Sequence, residues 1–123
     1  MILVVDRDPE VLEQARQILN RDRQVFLAST ATQALEMVER LGFSVVLVDL
    51  DLPGDAVELI QRMHDTHPDI LIVAISGAVR ASMDGAIKPP GVVEILPKPI
   101  TPEWKPVVER VRAKYYESGD GKS

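Results

Sequence analysis

The sequence predicts an α/β protein built on one parallel sheet. Three observations carry this. Five short runs rich in Val, Ile and Leu are continuously apolar, as strands buried on both faces must be. Between them lie stretches with apolar residues at helical spacing. The joining segments are short and carry capping and turn residues.

The first run, Ile2-Leu3-Val4-Val5, stops at Asp6-Arg7-Asp8. Asp8-Pro9-Glu10 then opens a helix, with aspartate as N-cap, proline at the first helical position and an acid in the first turn. Val11, Leu12, Ala15, Ile18 and Leu19 share one face of it, and it should end between Asn20 and Asp22. Val25 to Ala28 is a short second strand. Thr30 with Gln33 is a capping box that starts a second helix. That helix buries Ala34, Leu35, Val38 and Leu41 and is expected to end at Gly42. Val45 to Val48 is the third and central strand. It stops at Asp49, and Pro53-Gly54 forbids its continuation.

Ala56 to His64 is a third helix with Val57, Ile60 and Met63 inward, closed by Pro68. Ile70 to Ile75 is a fourth strand ending in Ser76-Gly77. From 78 to 91 the pattern weakens. Val79 to Ile87 has the length of a short fourth helix, but Gly85 lowers its propensity and Lys88-Pro89-Pro90-Gly91 breaks it. Val92 to Leu96 is a fifth strand, followed by Pro97-Lys98-Pro99. Thr101-Pro102-Glu103 caps a last helix with Val107, Val108, Val111 and Tyr115 inward. Pro106 lies early in it, and its missing N–H should kink the first turn or displace the helix start.

Short connections and the right-handed crossover rule leave few topologies. The best fit is a flavodoxin-like, doubly wound sheet of strand order 2-1-3-4-5. Strands 1 and 3 are then neighbours at the point where the winding reverses. Asp6 and Asp49 would lie side by side at the carboxyl edge of the sheet, where such folds place their ligand sites.

The chain has 123 residues, one domain's length, read as a domain over residues 1–116 and a polar tail or linker stub over 117–123. Apolar residues make up 46% and charged residues 27%, a globular composition. A net charge of −5 argues against direct nucleic-acid binding. The absence of cysteine excludes disulfides, thiolate chemistry and a cysteine zinc site. His64 and His67 lack a third ligand nearby and read as solvated residues. No apolar run approaches the roughly 20 residues of a membrane span. The start lacks the basic residues and long apolar core of a signal peptide. The expectation is a cytoplasmic protein with no membrane partner.

Four predicted strands end in a group capable of chemistry: Asp6 with Arg7 and Asp8, Asp49 with Asp51, Ser76, and Lys98. Two carboxylates plus a backbone carbonyl make an oxygen-rich place for a hard cation. A lysine can neutralise charge added to a carboxylate, and a serine hydroxyl can bond an oxyanion. Together they form a kit for moving a phosphoryl group onto a carboxylate. Each also has a plainer reading. Asp8 suits a helix cap, Ser76 a loop hydrogen bond, and Lys98 a solvated cation. Asp49 alone could be nucleophile, metal ligand or cap.

Ile2-Leu3-Val4-Val5-Asp6, Val46-Leu47-Val48-Asp49-Leu50-Asp51-Leu52-Pro53-Gly54, Ile75-Ser76-Gly77 and Leu96-Pro97-Lys98-Pro99-Ile100 stand in the order and near the spacing of a known pattern. Over about residues 1 to 116 the sequence resembles the receiver domain family of response regulators in two-component signalling. The resemblance implies that Asp49 accepts a phosphoryl group. It makes Asp6 and Asp49, with the backbone carbonyl of Asp51, the binders of Mg2+. It makes Ser76 the switch hydroxyl, Lys98 the partner of the phosphoryl group, and the bond before Pro99 a cis peptide. The implied partners are a histidine kinase or phosphotransfer protein, and an output domain or partner protein. The output contact would run through the face of the fourth helix, fifth strand and last helix. No enzymatic turnover is implied beyond self-phosphorylation from a donor and autodephosphorylation.

The sequence also departs from that family. Arg7 stands where a second acid is usual, so a ligand is lost and a cation is added beside the metal position. A like-charge pair at 4 Å costs about 4 kcal/mol at an effective dielectric near 20, so Mg2+ binding should be weakened. Asp8 is a partial substitute at most. Pro53-Gly54-Asp55-Ala56 is a shortened loop without the second glycine. Ile95 replaces the usual aromatic switch residue, and Pro89-Pro90 should distort the fourth helix. These departures keep a second reading open: a phosphorylation-independent interaction module, with Arg7 ion-paired to Asp49 or Asp6. A remote third is a haloacid-dehalogenase-type phosphatase, because Asp6-Arg7-Asp8 and Asp49-Leu50-Asp51 match its Asp-x-Asp motif. Pro9 and Leu52 depart from that motif's continuation. Trp104 is expected to be a half-buried packing residue near Lys98.

Overall fold

In the computed structural model, residues 1–20, 24–52, 56–77 and 91–114 are described. The elements run β1 (Ile2–Val5), α1 (Pro9–Leu19), β2 (Val25–Ala28), α2 (Ala31–Arg40), β3 (Val45–Asp49), α3 (Ala56–Thr66), β4 (Leu71–Ser76), β5 (Val92–Pro97) and α4 (Trp104–Arg112). The expected helix between β4 and β5, the loop 53–55, Tyr115 and the tail lie outside the described residues. The strands form one sheet in the order β2-β1-β3-β4-β5, every pair parallel. This is the expected flavodoxin-like winding, with β1 and β3 adjacent.

The continuous apolar runs are explained by two cores, one on each face of the sheet. Leu3, Val5, Val46, Val48, Ile72 and Ala74 face α2 and α3. Ile2, Val4, Val45, Leu47, Val73 and Ile75 face α1 and α4. Alternation along β1 and β3 therefore carries Asp6 and Asp49 to the same side, that of α1 and α4. β5 reaches this arrangement by a bulge. Its register with β4 passes from Ile72–Val92 to Val73–Glu94, leaving Val93 as an extra residue. The insertion inverts the alternation, so Val92 and Ile95 face one core while Val93 and Leu96 face the other.

The caps follow the sequence closely. The Asp8 carboxylate accepts the Glu10 N–H at 2.9 Å, with Pro9 at the first helical position. Thr30 Oγ1 accepts the Gln33 N–H, and the Gln33 side chain accepts the Ser29 N–H in return. Two expectations need correction, and for α4 the structure selects one of the two outcomes expected of Pro106. Gly42 does not end α2 in a left-handed turn. Leu41 is the C-cap, in an extended conformation, and its N–H still reaches the Met37 carbonyl at 2.8 Å. Val57 points outward and is 47% exposed, because α3 starts at Ala56 and buries Ala56, Leu59, Ile60 and Met63. In α4 the start is displaced rather than kinked. Trp104 and Lys105 donate to the carbonyls of Thr101 and Pro102 in tight turns, and Pro106 becomes the third residue of the helix.

One glycine is under real constraint. Gly91 has φ +90°, and a Cβ there would lie 2.9 Å from His64 Cβ and Cγ on α3. Gly91→Ala is expected to lower stability by at least about 1–2 kcal/mol in urea melts, from backbone strain and this collision together. Truncating the imidazole with His64→Ala should recover only part of the loss, since the strain remains. An unchanged midpoint in Gly91→Ala would count against the left-handed turn before β5.

Candidate functional site

The carboxyl edge of the sheet brings together Asp6 from the end of β1, Asp49 from the end of β3 and Lys98 from just past β5. Asp6 is 0% and Asp49 2% exposed. Each is held in the same way, by the N–H two residues on. The Asp8 N–H donates to Asp6 Oδ1 at 2.9 Å, and the Asp51 N–H donates to Asp49 Oδ1 at 3.0 Å. The two Asp-x-Asp stretches are thus a pair of Asx turns, with the second aspartate supplying backbone rather than carboxylate. The Asp8 side chain is occupied as the N-cap of α1, and Asp51 is exposed.

Lys98 closes the arrangement. Its Nζ lies 2.9 Å from Asp6 Oδ2 and 3.1 Å from Asp49 Oδ2. The bond to Asp49 is an aligned hydrogen bond. The contact to Asp6 is an ion pair without that alignment, so Asp6 Oδ2 is buried with a nearby charge but no hydrogen-bond donor. Two contacts hold the lysine in place. Its own N–H donates to the Ser76 carbonyl at 3.0 Å. The Trp104 indole N–H donates to the Pro97 carbonyl at 3.3 Å. Trp104 is fully buried rather than half-buried as expected, and it also walls a cleft of about 270 Å³ beside Lys98, Pro99 and Thr101. The Lys98–Pro99 peptide is cis.

Burial pushes Asp6 above the usual carboxylate range, and repulsion from Asp49 adds to this; the Asp8 N–H and the Lys98 ammonium oppose it without cancelling it. Burial also disfavours the Lys98 ammonium, but the Asp6 and Asp49 carboxylates outweigh it and hold its pKa above the ordinary lysine value. The lysine's contribution to stability is therefore complete at neutral pH and fades only as pH climbs past 10.5.

The other sequence candidates sit around this triad. Ser76 is buried at the end of β4, one residue past Ile75, the partner of Asp49. Ile95 is half-buried and packs toward α2 and α3, on the opposite face of the sheet from Lys98's carboxylate partners. Arg7 is exposed and makes no hydrogen bond or ion pair among the described residues. The ion pair to Asp6 or Asp49 that the interaction-module reading assigns to Arg7 is made by Lys98 instead. The donor set suits a resident divalent cation poorly. Among the described residues no three acidic or imidazole groups converge, and the Oδ2 atoms of both carboxylates already face an ammonium.

The site can position a carboxylate with a cation against it, buried and oriented by backbone. Comparison with known proteins agrees with this picture. The family model described as "Response regulator receiver domain" matches residues 2–105. The chain is 29% identical over 104 residues to sensor kinase CckA of Brucella abortus, covering 82% of this chain and 11% of CckA. It is 27% identical over 104 residues to the hydrogenase transcriptional regulatory protein HoxA of Cupriavidus necator, covering 83% of this chain and 22% of HoxA. The chain thus spans less than a quarter of the length of either relative. The crystal structure of a CheY-like response regulator receiver domain protein from Methanospirillum hungatei aligns with a TM-score of 0.77 at 26% identity, over 98% of this chain and 96% of that one. Two buried aspartates bridged by one lysine, on a 2-1-3-4-5 sheet, and a family match over nearly the whole described chain lead to one assignment: the protein belongs to the response regulator receiver domain family of two-component signalling.

Proposed function

We propose that this receiver domain accepts a phosphoryl group on Asp49 and so switches an output domain or partner. The observation that carries this reading is the position of Lys98, hydrogen-bonded to the Asp49 carboxylate at 3.1 Å in a buried pocket. A carboxylate oxygen of Asp49 forms the new O–P bond while the donor's bond to phosphorus breaks. The Lys98 ammonium then faces charge that grows on the phosphoryl oxygens. The new dianion competes with Asp6 for that ammonium. Such a shift at the ends of β3 and β5 can bias neighbouring loops between two arrangements. Receiver domains typically use Mg2+ at this pocket; here its binding is weak, with Arg7 in place of a ligand. The phosphodonor is a histidine kinase or phosphotransfer protein, and the output contact uses the edge formed by β5 and α4. The compartment is the cytoplasm; among the described residues no helix is long and apolar enough to cross a membrane.

A second reading, a module that binds its partner without phosphorylation, draws support from Ile95. It has no ring to swing between buried and exposed positions, and it is packed against the α2–α3 core. Intact-protein mass spectrometry after incubation with acetyl phosphate and MgCl2 separates the two. The expected result is a labile adduct of one phosphoryl group on the starting protein and none on Asp49→Ala. A starting protein that never takes the adduct favours the interaction module.

A further inference from the structure

We propose that Trp104 is a positioning residue for phosphoryl transfer: its indole N–H fixes the peptide unit from which Lys98 reaches Asp49. The inference rests on the reading of Asp49 as phospho-acceptor. It starts from the backbone around the lysine. Lys98 stands between two prolines, Pro97 and Pro99. Neither carries a backbone N–H, so the stretch 97–99 has one donor, that of Lys98 itself. This N–H and the Pro97 carbonyl belong to one peptide plane. They point in opposite directions, because the Pro97–Lys98 bond is trans.

Both sides of this plane are held. The Lys98 N–H donates to the Ser76 carbonyl of β4 at 3.0 Å. The Pro97 carbonyl accepts the indole N–H of Trp104, the first residue of α4, at 3.3 Å. Turning the plane about the chain would strain both bonds, and its orientation sets the direction in which the Lys98 stem leaves the backbone. Gly77 offers that stem no side chain to lean on; a Cβ there would stand 3.7 Å from both Lys98 Cβ and Cδ. The indole can act as a strut because its ring is fully buried and packed with Leu96, Val108 and Val111. β4 and α4 thus grip the lysine's peptide from opposite sides. Ile95 takes no such part, since it packs into the other core.

With acetyl phosphate, a carboxylate oxygen of Asp49 forms the new O–P bond, the P–O bond to the acetyl group breaks, and acetate leaves with the bonding pair. The indole keeps its proton throughout. The Lys98 ammonium must turn from the two carboxylates toward the phosphoryl oxygens while its backbone stays in place. A misplacement of about 1 Å at such a group can cost about 100-fold in rate. Losing the indole bond should cost less, because the bond to Ser76 remains.

The chain has a single tryptophan, so an analogue supplied during expression enters at position 104 alone. Benzothienylalanine replaces the indole N–H by sulfur and keeps the bicyclic ring, whereas 5-fluorotryptophan keeps the N–H. Trp104→Phe, which also lacks the donor, is a third protein should the sulfur analogue fold poorly. Adduct formation with acetyl phosphate and MgCl2 is followed by intact-protein mass spectrometry, at a temperature where melting curves show each protein folded. The benzothienyl protein and Trp104→Phe are expected to form the adduct about three- to tenfold more slowly than the parent. The 5-fluorotryptophan protein should stay within about twofold of the parent. Exchange of the Lys98 amide, read by NMR, should quicken about threefold or more in the two proteins without the donor. Equal adduct rates with and without the donor overturn the inference and leave Asp49 as acceptor. A 5-fluorotryptophan protein as slow as the benzothienyl one overturns it too, since ring shape rather than the N–H would then matter. A slower adduct with unchanged Lys98 exchange overturns the route through the Pro97–Lys98 peptide. No adduct on any protein, parent included, overturns this inference and the phospho-acceptor reading together.

Discussion

Lys98→Met is expected to destabilise the protein by about 3–4 kcal/mol at pH 7, and by much less at pH 5. Among the described residues, the lysine is the one group that contacts both Asp6 and Asp49. Its removal leaves two buried carboxylates facing each other, and breaking a buried pair from one side typically costs about 3–5 kcal/mol. The protein has an escape, which is to protonate one carboxyl. From an ordinary value of 3.8, at about 1.4 kcal/mol per pH unit, that costs about 4 kcal/mol at pH 7 and under about 2 at pH 5. The escape therefore caps the loss and makes it depend on pH. The sign follows from Asp6. Its pKa is already raised in the folded state, and Lys98 is one of the groups holding it down. Without Lys98 it rises further. A group that binds its proton more tightly when folded contributes stability that is present below its unfolded value and is lost as pH rises through its folded value. Urea unfolding of Lys98→Met and the parent at pH 7.5 and pH 5.0 should show the gap between them closing toward acid. Adding Asp6→Asn should restore more than half of the loss at pH 7.5, because one carboxylate no longer opposes the other. A gap of equal size at both pH values would mean that the lysine stem, rather than its charge, holds the site.

The fold was legible because its strands are buried on both faces. Val45 to Val48 or Ile72 to Ile75 can only be central strands of a covered sheet, and strand order followed from short connections. Helix faces were legible to within one residue. Val57 reads as inward because it starts an apolar triplet with Ile60 and Met63, yet Ala56 with Leu59 makes the tighter stripe and leaves Val57 in water. The bulge in β5 left no mark, since Val92-Val93-Glu94 pairs as well in either register. At the site, the sequence placed Asp6, Asp49 and Lys98 on one edge but did not choose the lysine's partners. A long flexible stem fixes reach, not direction. The repeated Asp-x-Asp did contain the signal for what holds the carboxylates, because an aspartate often accepts the N–H two residues on. The partnership of Trp104 with Pro97 had no such signature, as it depends on the displaced start of α4.

That partnership makes Trp104→Ala the second large effect. Trp104 is 2% exposed and is the largest of the fully buried side chains. It shares its core with Ile75, Leu96, Val108 and Val111, so it ties β4, β5 and α4 together. An aromatic side chain buries about 150–250 Å², which at about 25 cal/mol per Å² corresponds to about 4–6 kcal/mol. Core truncations of this kind cost about 3–5 kcal/mol when the surroundings close in only partly. Little collapse is expected here. Trp104 already walls an open cleft of about 270 Å³, so the lost volume joins that space and water reaches the back of the Lys98 loop. The Pro97 carbonyl also loses its indole donor. Trp104→Phe separates the two contributions, because it keeps most of the apolar area and removes only the N–H, at about 1–2 kcal/mol. Thermal and urea melts should rank the parent above Trp104→Phe, with Trp104→Ala well below both. If the ring serves packing alone, Phe should be nearly neutral. If it also anchors the lysine, Trp104→Phe should lose part of the pH-dependent stability that Lys98→Met loses. The second outcome is expected, since only Pro97 separates the indole's hydrogen bond from the residue that bridges the two carboxylates.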